Sequence, residues 1–162
     1  MLMEREQQFG ELLLYVAESL DISPTDYQRA VDSYQAVGQW LQDGYQKNFY
    51  PGSSSEPDIY PQGSIRLGTV IRPLRDGKEA DYDIDLVCEL RVPGIYWTSD
   101  NAQTVKQQVG NRLKANETYG QKLDNEGKRC WTLEYAKTVG IGFHMDILPC
   151  VQDFAAGARL VL

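Results

Sequence analysis

The chain has 162 residues, of which 42% are hydrophobic and 24% charged, with a net charge of −7 and a pI near 4.7. This composition is typical of one globular domain with a core of its own, while the acidic balance argues against a protein that grips long nucleic acid through its phosphates. The apolar runs are too short to span a membrane, and three widely spaced cysteines (Cys88, Cys130 and Cys150) predict reduced core thiols of a cytosolic protein, not a disulfide framework.

Two helices are predicted in the first 50 residues. Apolar residues recur at helical spacing from about Glu4 to Leu20. Ser23 followed by Pro24 is typical of a helix start, and this second helix should run to about Gln46. Both apolar lines are interpreted as core faces. They are Phe9, Leu12, Leu13, Val16 and Leu20 in the first helix, and Tyr27, Val31, Tyr34, Val37 or Ala36, Leu41 and Tyr45 in the second.

The rest of the chain predicts a mixture of strands and helices. Pro51–Pro57 has loop chemistry, and Asp76-Gly77 marks a turn. A strand of period two is predicted over Tyr82–Leu90, with one apolar and one acidic face. The remaining predicted elements are a helix from Ser99 or Asp100 to about Asn116 with Val105, Val109 and Leu113 inward, a strand over Arg129–Lys137, and a strand over Gly142–Leu148 that ends at Pro149. This order indicates an α+β or α/β protein with a small mixed sheet.

The acidic face of the first predicted strand is the strongest functional signal. Asp83 and Asp85 flank one apolar residue, so their side chains point the same way, roughly 7 Å apart at Cα. Like charges at that spacing repel each other, and a divalent cation removes the repulsion. Hard oxygen donors without a histidine or thiol cluster indicate Mg²⁺ or Mn²⁺. The alternative is a solvated polar strand face.

Two further features strengthen this interpretation. Asp146 is a lone carboxylate in an apolar strand, where an acid is costly unless it is paired or coordinated. If its strand pairs near Tyr82–Val87, three carboxylates converge and could hold two metal ions about 3.5–4 Å apart, as in phosphoryl transfer. Gly63-Ser64 offers close backbone approach and a hydroxyl, which suits phosphate oxygens. An ordinary turn is the alternative for this pair.

These residues carry a resemblance to a known family. Gln62-Gly63-Ser64, then Asp83-Ile84-Asp85-Leu86 and later Met145–Pro149 resemble the DNA polymerase β-like nucleotidyltransferases. Within them, "PQGSIRLGTVIRPL" with "YDIDLV" resembles the bacterial cGAS/DncV-like nucleotidyltransferases (CD-NTases), which make cyclic oligonucleotide signals in CBASS anti-phage defence. The resemblance implies an α+β polymerase β-like core over residues 51–162, a long N-terminal helical segment over residues 1–50, and a C-terminal helical part that this chain lacks.

The family's site residues can be carried over to matching positions. The resemblance implies catalytic and metal-binding roles for Asp83, Asp85 and Asp146, and nucleotide-binding roles for Gln62, Gly63, Ser64 and Arg66. Thr69 matches a threonine of several members. Asp81 competes for the acidic pair, because Asp81-Tyr82-Asp83 has the same spacing. His144 shares a strand face with Asp146 and is interpreted as packed or partly exposed.

The resemblance also implies the activity and its setting. It implies a Mg²⁺- or Mn²⁺-dependent enzyme of the bacterial cytoplasm that joins NTPs into a cyclic second messenger. Its partners would be NTP substrates, CBASS regulatory proteins and an effector reached through the product, with no membrane. The alternatives are a protein-nucleotidylating antitoxin, an RNA-tailing enzyme, or a non-catalytic nucleotide-binding module. The apolar run Ala158–Leu162 predicts a fragment of a longer protein, so the activity of this chain alone stays open.

Overall fold

The computed structural model describes residues 2–92, 99–136, 141–153 and 158–161. Two helices come first and a mixture of strands and helices follows, which is the order predicted for an α+β protein. The helices are α1 (Leu2–Leu20), α2 (Pro24–Asp43), α3 (Gly63–Leu67), α4 (Ser99–Lys114) and α5 (Glu117–Lys122). The strands are β1 (Asp58–Gln62), β2 (Leu74–Arg75), β3 (Lys78–Glu79), β4 (Tyr82–Leu90), β5 (Trp131–Tyr135), β6 (Phe143–Asp153) and β7 (Ala158–Val161).

A small mixed sheet forms the centre of the fold. Its strand order is β1-β4-β6-β5, and β7 pairs with β6. β4 runs antiparallel to β1 and parallel to β6. Strand β4 has the bounds that the period-two pattern predicts, with Tyr82, Ile84 and Leu86 buried. The separate hairpin of β2 and β3 turns at Asp76 and Gly77, which both have positive φ, so the predicted turn is confirmed.

The prediction that β6 ends at Pro149 is wrong. β6 continues to Asp153, and Pro149 lies opposite Cys88 in the parallel ladder with β4. On the other side of β6, pairing with β5 stops at Ile147 and pairing with β7 starts at Cys150. Pro149 therefore lies in the gap between two partner strands, where a missing N–H costs no ladder hydrogen bond.

Helices α2 and α4 cover the apolar face of the sheet. Ser23 caps α2 by accepting a hydrogen bond from the Asp26 backbone N–H at 3.0 Å. The predicted inward residues of α4 are confirmed, since Val105, Val109 and Leu113 are buried. In α2 the predicted line is only partly right. Val37 and Leu41 are buried as predicted, whereas Tyr27 is exposed. Tyr34 is only half-buried at the edge of the buried face of α2, and Ala30 is fully buried at its centre.

Gly110 allows α4 to lie close against β5. A Cβ built on Gly110 would collide with the ring of Trp131. We therefore expect Gly110→Ala to destabilise the protein by about 1–3 kcal/mol through overpacking, although alanine normally favours a helix over glycine by about 1 kcal/mol. Gly10→Ala in α1 is the matched control, because nothing lies within 4 Å of its Cβ. Urea unfolding measures both, and equal stability of the two variants would contradict the close packing.

The interpretation of the first helix as a core face is wrong for the described residues. All five residues of its apolar line are exposed, from Leu20 at 38% to Phe9 at 62%. The reason is that α2 and α4 already cover the apolar face of the sheet. The C-terminal end of α1 is hydrogen-bonded to the segment after α3. The backbone N–H of Arg72 donates to the carbonyl oxygen of Leu20 at 2.7 Å. No described helix is both long and apolar enough to cross a lipid bilayer.

Candidate active site

The predicted acidic residues lie on one face of neighbouring strands. Asp83 and Asp85 alternate along β4 with the buried Tyr82 and Ile84. The parallel register of β4 and β6 places Asp85 directly opposite Asp146. The strand pairing on which the predicted convergence of carboxylates depends is therefore present.

The charges of the three carboxylates act on one another. Partial burial raises the pKa of Asp85 first, and the negative charges of Asp146 and then Asp83 raise it further. Within the described ranges, however, no three histidine, cysteine or acidic side chains lie close enough to hold a metal ion. The carboxylates therefore share one face and one electrostatic field, without forming a closed cluster.

The donor set nevertheless fits a hard divalent cation. All three side chains offer carboxylate oxygens, the ligands that Mg²⁺ and Mn²⁺ prefer. The Asp83 side chain is 77% exposed and can change rotamer, so it can approach Asp85 without repacking the core. Burial first, and then the charges of Asp146 and Asp83, raise the pKa of Asp85, so a bound cation would favour its ionised form. We treat Asp83, Asp85 and Asp146 as the side chains that would hold the ions.

Gly63 brings the backbone against this acidic face. Gln62 at the end of β1 pairs with Asp85, so Gly63 follows directly beside that carboxylate. Gly63 has a φ of +63°, and a Cβ there would lie 2.5 Å from Asp85 Oδ2. Gly63 and Ser64 begin the short helix α3, so the alternative of an ordinary turn does not describe this pair.

The other residues assigned to nucleotide binding lie around α3. Ser64 is half-buried, and its carbonyl oxygen accepts from the Thr69 N–H at 2.9 Å. Arg66 is exposed in the last turn of α3, and Thr69 is exposed just after the helix. Gln62 precedes the helix without capping it through its side chain. The hydroxyl of Ser64 and the guanidinium of Arg66 are therefore accessible to an incoming phosphate.

Asp81 has a different environment from the other acids. Its Oδ2 lies 3.9 Å from His144 Nε2, and a Cβ on Gly142 would be 2.5 Å from its Oδ1. His144 Nδ1 in turn lies 3.6 Å from Asp83 Oδ1. Asp81 is not among the groups that raise the pKa of Asp85. This arrangement favours Asp83 and Asp85 as the pair and places Asp81 at the margin of the site.

Thr132 was not predicted from the sequence as part of the site. It lies on β5 opposite Asp146, and its Oγ1 donates to Asp146 Oδ1 at 2.6 Å. Cys130, half-buried and not the core thiol predicted, has its Sγ 3.9 Å from Thr132 Oγ1. Burial and then the Asp146 carboxylate raise the pKa of Cys130, which keeps the thiol protonated. Only the β5–β6 register reveals Thr132, since a lone threonine in a predicted strand is no signal.

A cavity opens beside His144 and Asp81, on the β5 side of the acidic face. It has a volume of about 690 Å³ and lies between α5 and the ends of β5 and β6. Glu134, His144, Lys122 and Asp81 are among its lining residues. Gly63 is on the opposite side, because β1 and β5 are at opposite ends of the strand order. The acidic face is thus flanked by Gly63, at the start of α3, on one side and by the polar cavity on the other.

Comparisons with known proteins identify the family and the fold of the chain. The family model for the nucleotidyltransferase domain of cyclic GMP-AMP synthase DncV-like proteins matches residues 57–149. A c-di-GMP synthase of Roseivirga ehrenbergii is 32% identical over 142 residues, which are 88% of this chain and 34% of that protein. The chain therefore spans about a third of the curated relative.

Two solved structures show the same fold. The CD-NTase CdnG of Bradyrhizobium diazoefficiens in complex with GTP has a TM-score of 0.61 at 23% identity, over 90% of this chain and 41% of that chain. The CdnC:HORMA-deltaN complex of Escherichia coli MS115-1 has a TM-score of 0.59 at 13% identity, over 93% of this chain and 45% of that chain.

Proposed function

The chain belongs to the DncV-like nucleotidyltransferase family, and we propose that the protein of which it forms part joins NTPs into a cyclic oligonucleotide. One observation carries the proposal: Asp85 lies opposite Asp146 in the sheet and in contact range of any side chain at Gly63. The groups suited to phosphate and those suited to cations therefore meet at one point. The name of the relative from Roseivirga ehrenbergii makes GTP the first substrate to test.

In the proposed reaction each group has a distinct task. Divalent cations held by the acids would neutralise charge on the α-phosphate and on the departing pyrophosphate. Gly63 and Ser64 bind the triphosphate through the backbone and the serine hydroxyl. Asp146 accepts a hydrogen bond from the ribose hydroxyl that attacks the α-phosphorus, and so orients it. A new P–O bond forms as the bond to pyrophosphate breaks, the proton of the attacking hydroxyl is released to solvent, and a second transfer of the same kind closes the ring.

The cavity beside His144, which precedes Asp146 by two residues on β6, supports a two-nucleotide reaction. Its volume of about 690 Å³ falls within the range of ordinary small-molecule sites. A nucleotide there would approach Asp146 from the side opposite Gly63 and Ser64. The proposal thus assigns the triphosphate that is cleaved to the β1 side and the attacking hydroxyl to the β5 side.

We extend the proposal to the biological role that the family resemblance implies. A cyclic product would act as a signal in anti-phage defence and reach an effector by diffusion. A regulatory protein partner is part of this proposal, since a CdnC structure of the same fold contains a HORMA protein. An antitoxin or RNA-tailing function is disfavoured by membership of the DncV-like family.

A non-catalytic nucleotide-binding module is the second candidate. It is favoured by one observation, that the described residues form no closed group of three metal-binding side chains. Such a module would bind NTPs at Gly63 and Ser64 without releasing pyrophosphate.

Labelled substrates distinguish these functions. The full-length protein is incubated with Mg²⁺ and all four NTPs, one of them α-³²P-labelled in each reaction, and the products are treated with phosphatase. We expect label that resists phosphatase in a small product, because a cyclic oligonucleotide has no terminal phosphate. Label on protein or on a long RNA would favour the other transferases, and binding without pyrophosphate release would favour the module.

Ser64→Ala tests the phosphate-binding role of the hydroxyl. We expect the affinity for Mg²⁺ and a non-hydrolysable GTP analogue to fall about 3–10-fold, since one hydrogen bond is lost, with the fold intact. Ser33→Ala on α2 is the control, because that half-buried serine lies outside the site. Isothermal titration calorimetry measures both, and an unchanged affinity in Ser64→Ala would remove the hydroxyl from the site.

A further inference from the structure

We propose that Thr132 is the positioning residue for Asp146: its hydroxyl fixes the rotamer of that carboxylate and thereby sets how Asp146 meets a cation or an attacking hydroxyl. The inference rests on the proposed function, because it gives Asp146 a role in nucleotide transfer. It concerns a residue on a different strand from any of the acids. Thr132 touches Asp146 and is not itself a catalytic residue.

The hydrogen bond has the geometry of a strong, oriented contact. Thr132 Oγ1 and Asp146 Oδ1 are 2.6 Å apart, within the range of charge-assisted O–H···O⁻ bonds. A carboxylate can only accept hydrogen bonds, so Thr132 donates its single hydroxyl hydrogen to Asp146. Threonine is β-branched and stiff at χ1, which makes its hydroxyl a fixed donor rather than a mobile one.

The neighbours of Asp146 explain why a fixed donor is needed. In the sheet Asp146 lies between Asp85 on β4 and Thr132 on β5. The Asp85 charge repels the Asp146 carboxylate, whereas the Thr132 hydroxyl attracts it. Since the hydrogen bond from Thr132 is made to Oδ1 of Asp146, Oδ2 of Asp146 can meet a cation or an attacking hydroxyl. Without the hydroxyl, a half-buried carboxylate oxygen keeps only the weaker thiol donor of Cys130, and the Asp146 side chain is held less firmly in one orientation.

Cys130 supports the same direction of donation. Its Sγ lies 3.9 Å from Thr132 Oγ1, and either atom could in principle donate. Because Thr132 already donates its hydroxyl hydrogen to Asp146, its oxygen can only accept from the weak S–H donor of Cys130. The thiol also has a side-chain hydrogen bond with the Asp146 carboxylate, so Cys130 and Thr132 both donate toward Asp146.

Three substitutions at one position test the proposal in the full-length protein. Thr132→Val keeps the shape and removes the hydroxyl, Thr132→Ala removes it with less bulk, and Thr132→Ser keeps it. The first two should lower kcat about 10–100-fold and Mn²⁺ affinity about 10-fold, the usual range for a residue that orients a metal ligand. The KM for NTP should change less than about 3-fold, because Gly63 and Ser64 hold the triphosphate.

The rescue variant and a control separate positioning from packing. Thr132→Ser should restore kcat and Mn²⁺ affinity to within about 3-fold of wild type, and Thr25→Val on the exposed start of α2 should change neither. Circular dichroism checks folding of each variant. Wild-type values in Thr132→Val and Thr132→Ala overturn the proposal, and so does an equal loss in Thr132→Ser, which indicates packing alone.

Mn²⁺ binding, followed by electron paramagnetic resonance, keeps this inference distinct from the proposed function. If wild type shows no turnover, the proposed function fails, and the Mn²⁺ series alone decides the role of Thr132. Weaker Mn²⁺ binding in Thr132→Val with recovery in Thr132→Ser supports the inference. Equal Mn²⁺ binding in all variants overturns it.

Discussion

Asp85→Asn is expected to lower the rate of nucleotide transfer by about 10³-fold, which corresponds to about 4 kcal/mol of transition-state stabilisation. The same change is expected to raise the melting temperature of the cation-free protein. The physical reason is that Asp85 is a partly buried carboxylate facing the charges of Asp146 and Asp83. Asp85 therefore lowers the stability of the folded protein at the same position where it contributes to nucleotide transfer.

The pH dependence of stability follows from the direction of the pKa shift. The folded protein raises the pKa of Asp85 above its ordinary value of 3.8, so it holds the proton more tightly than the unfolded chain does. Stability is lost as the pH rises from that ordinary value through the raised one, and at neutral pH the full penalty is present. Asp85→Asn removes this part of the pH dependence, which melting curves measured from acidic to neutral pH will detect.

Asp81→Asn is the matched control for this prediction. Asp81 is also an acid of the Asp-X-Asp series, but it is not among the groups that raise the pKa of Asp85. Because Asp81 lines the cavity beside His144, its loss should act on the KM for NTP, and we expect kcat to stay within about 3-fold of wild type. A loss in Asp81→Asn as large as that in Asp85→Asn would contradict the assignment of the pair to Asp83 and Asp85.

Gly63→Ala is expected to reduce nucleotide and Mn²⁺ binding by at least about 10-fold and to destabilise the fold by about 1–2 kcal/mol. The stability loss comes from a φ of +63°, which an L side chain adopts only with strain. The binding loss has a separate cause, because the new Cβ would lie 2.5 Å from Asp85 Oδ2 and displace the carboxylate.

Gly68→Ala separates these two causes. Gly68 has nearly the same φ, +66°, but nothing lies within 4 Å of a Cβ there. The two variants should lose similar stability in urea unfolding, whereas only Gly63→Ala should lose binding in calorimetry. Equal binding by the two variants would show that the contact with Asp85 has no part in the site.

The parts of the site that could be predicted are those encoded by short local patterns. The bounds of Tyr82–Leu90 and the faces of its first half follow from alternation, although Val87 and Glu89 on the second face are buried as well. The confirmed inward face of α4 follows from helical spacing. The sequence motifs also indicated the family, which the match over residues 57–149 shows. In each case neighbouring residues along the chain carry the signal.

The parts that could not be predicted depend on contacts distant in sequence. Thr132 meets Asp146 only through the β5–β6 register, which no local pattern encodes. The strand continues through Pro149 because of where its two neighbours end. The exposure of α1 is similar, since the apolar spacing of a helix does not specify what it packs against.

Anomalous diffraction from crystals of the full-length protein with Mn²⁺ and a non-hydrolysable GTP analogue tests the central claim most directly. The account predicts manganese peaks coordinated by Asp83 and Asp85, with at least one also in contact with Asp146, and the triphosphate against Gly63 and Ser64. Manganese or triphosphate bound elsewhere, with these carboxylates uncoordinated, would contradict the account.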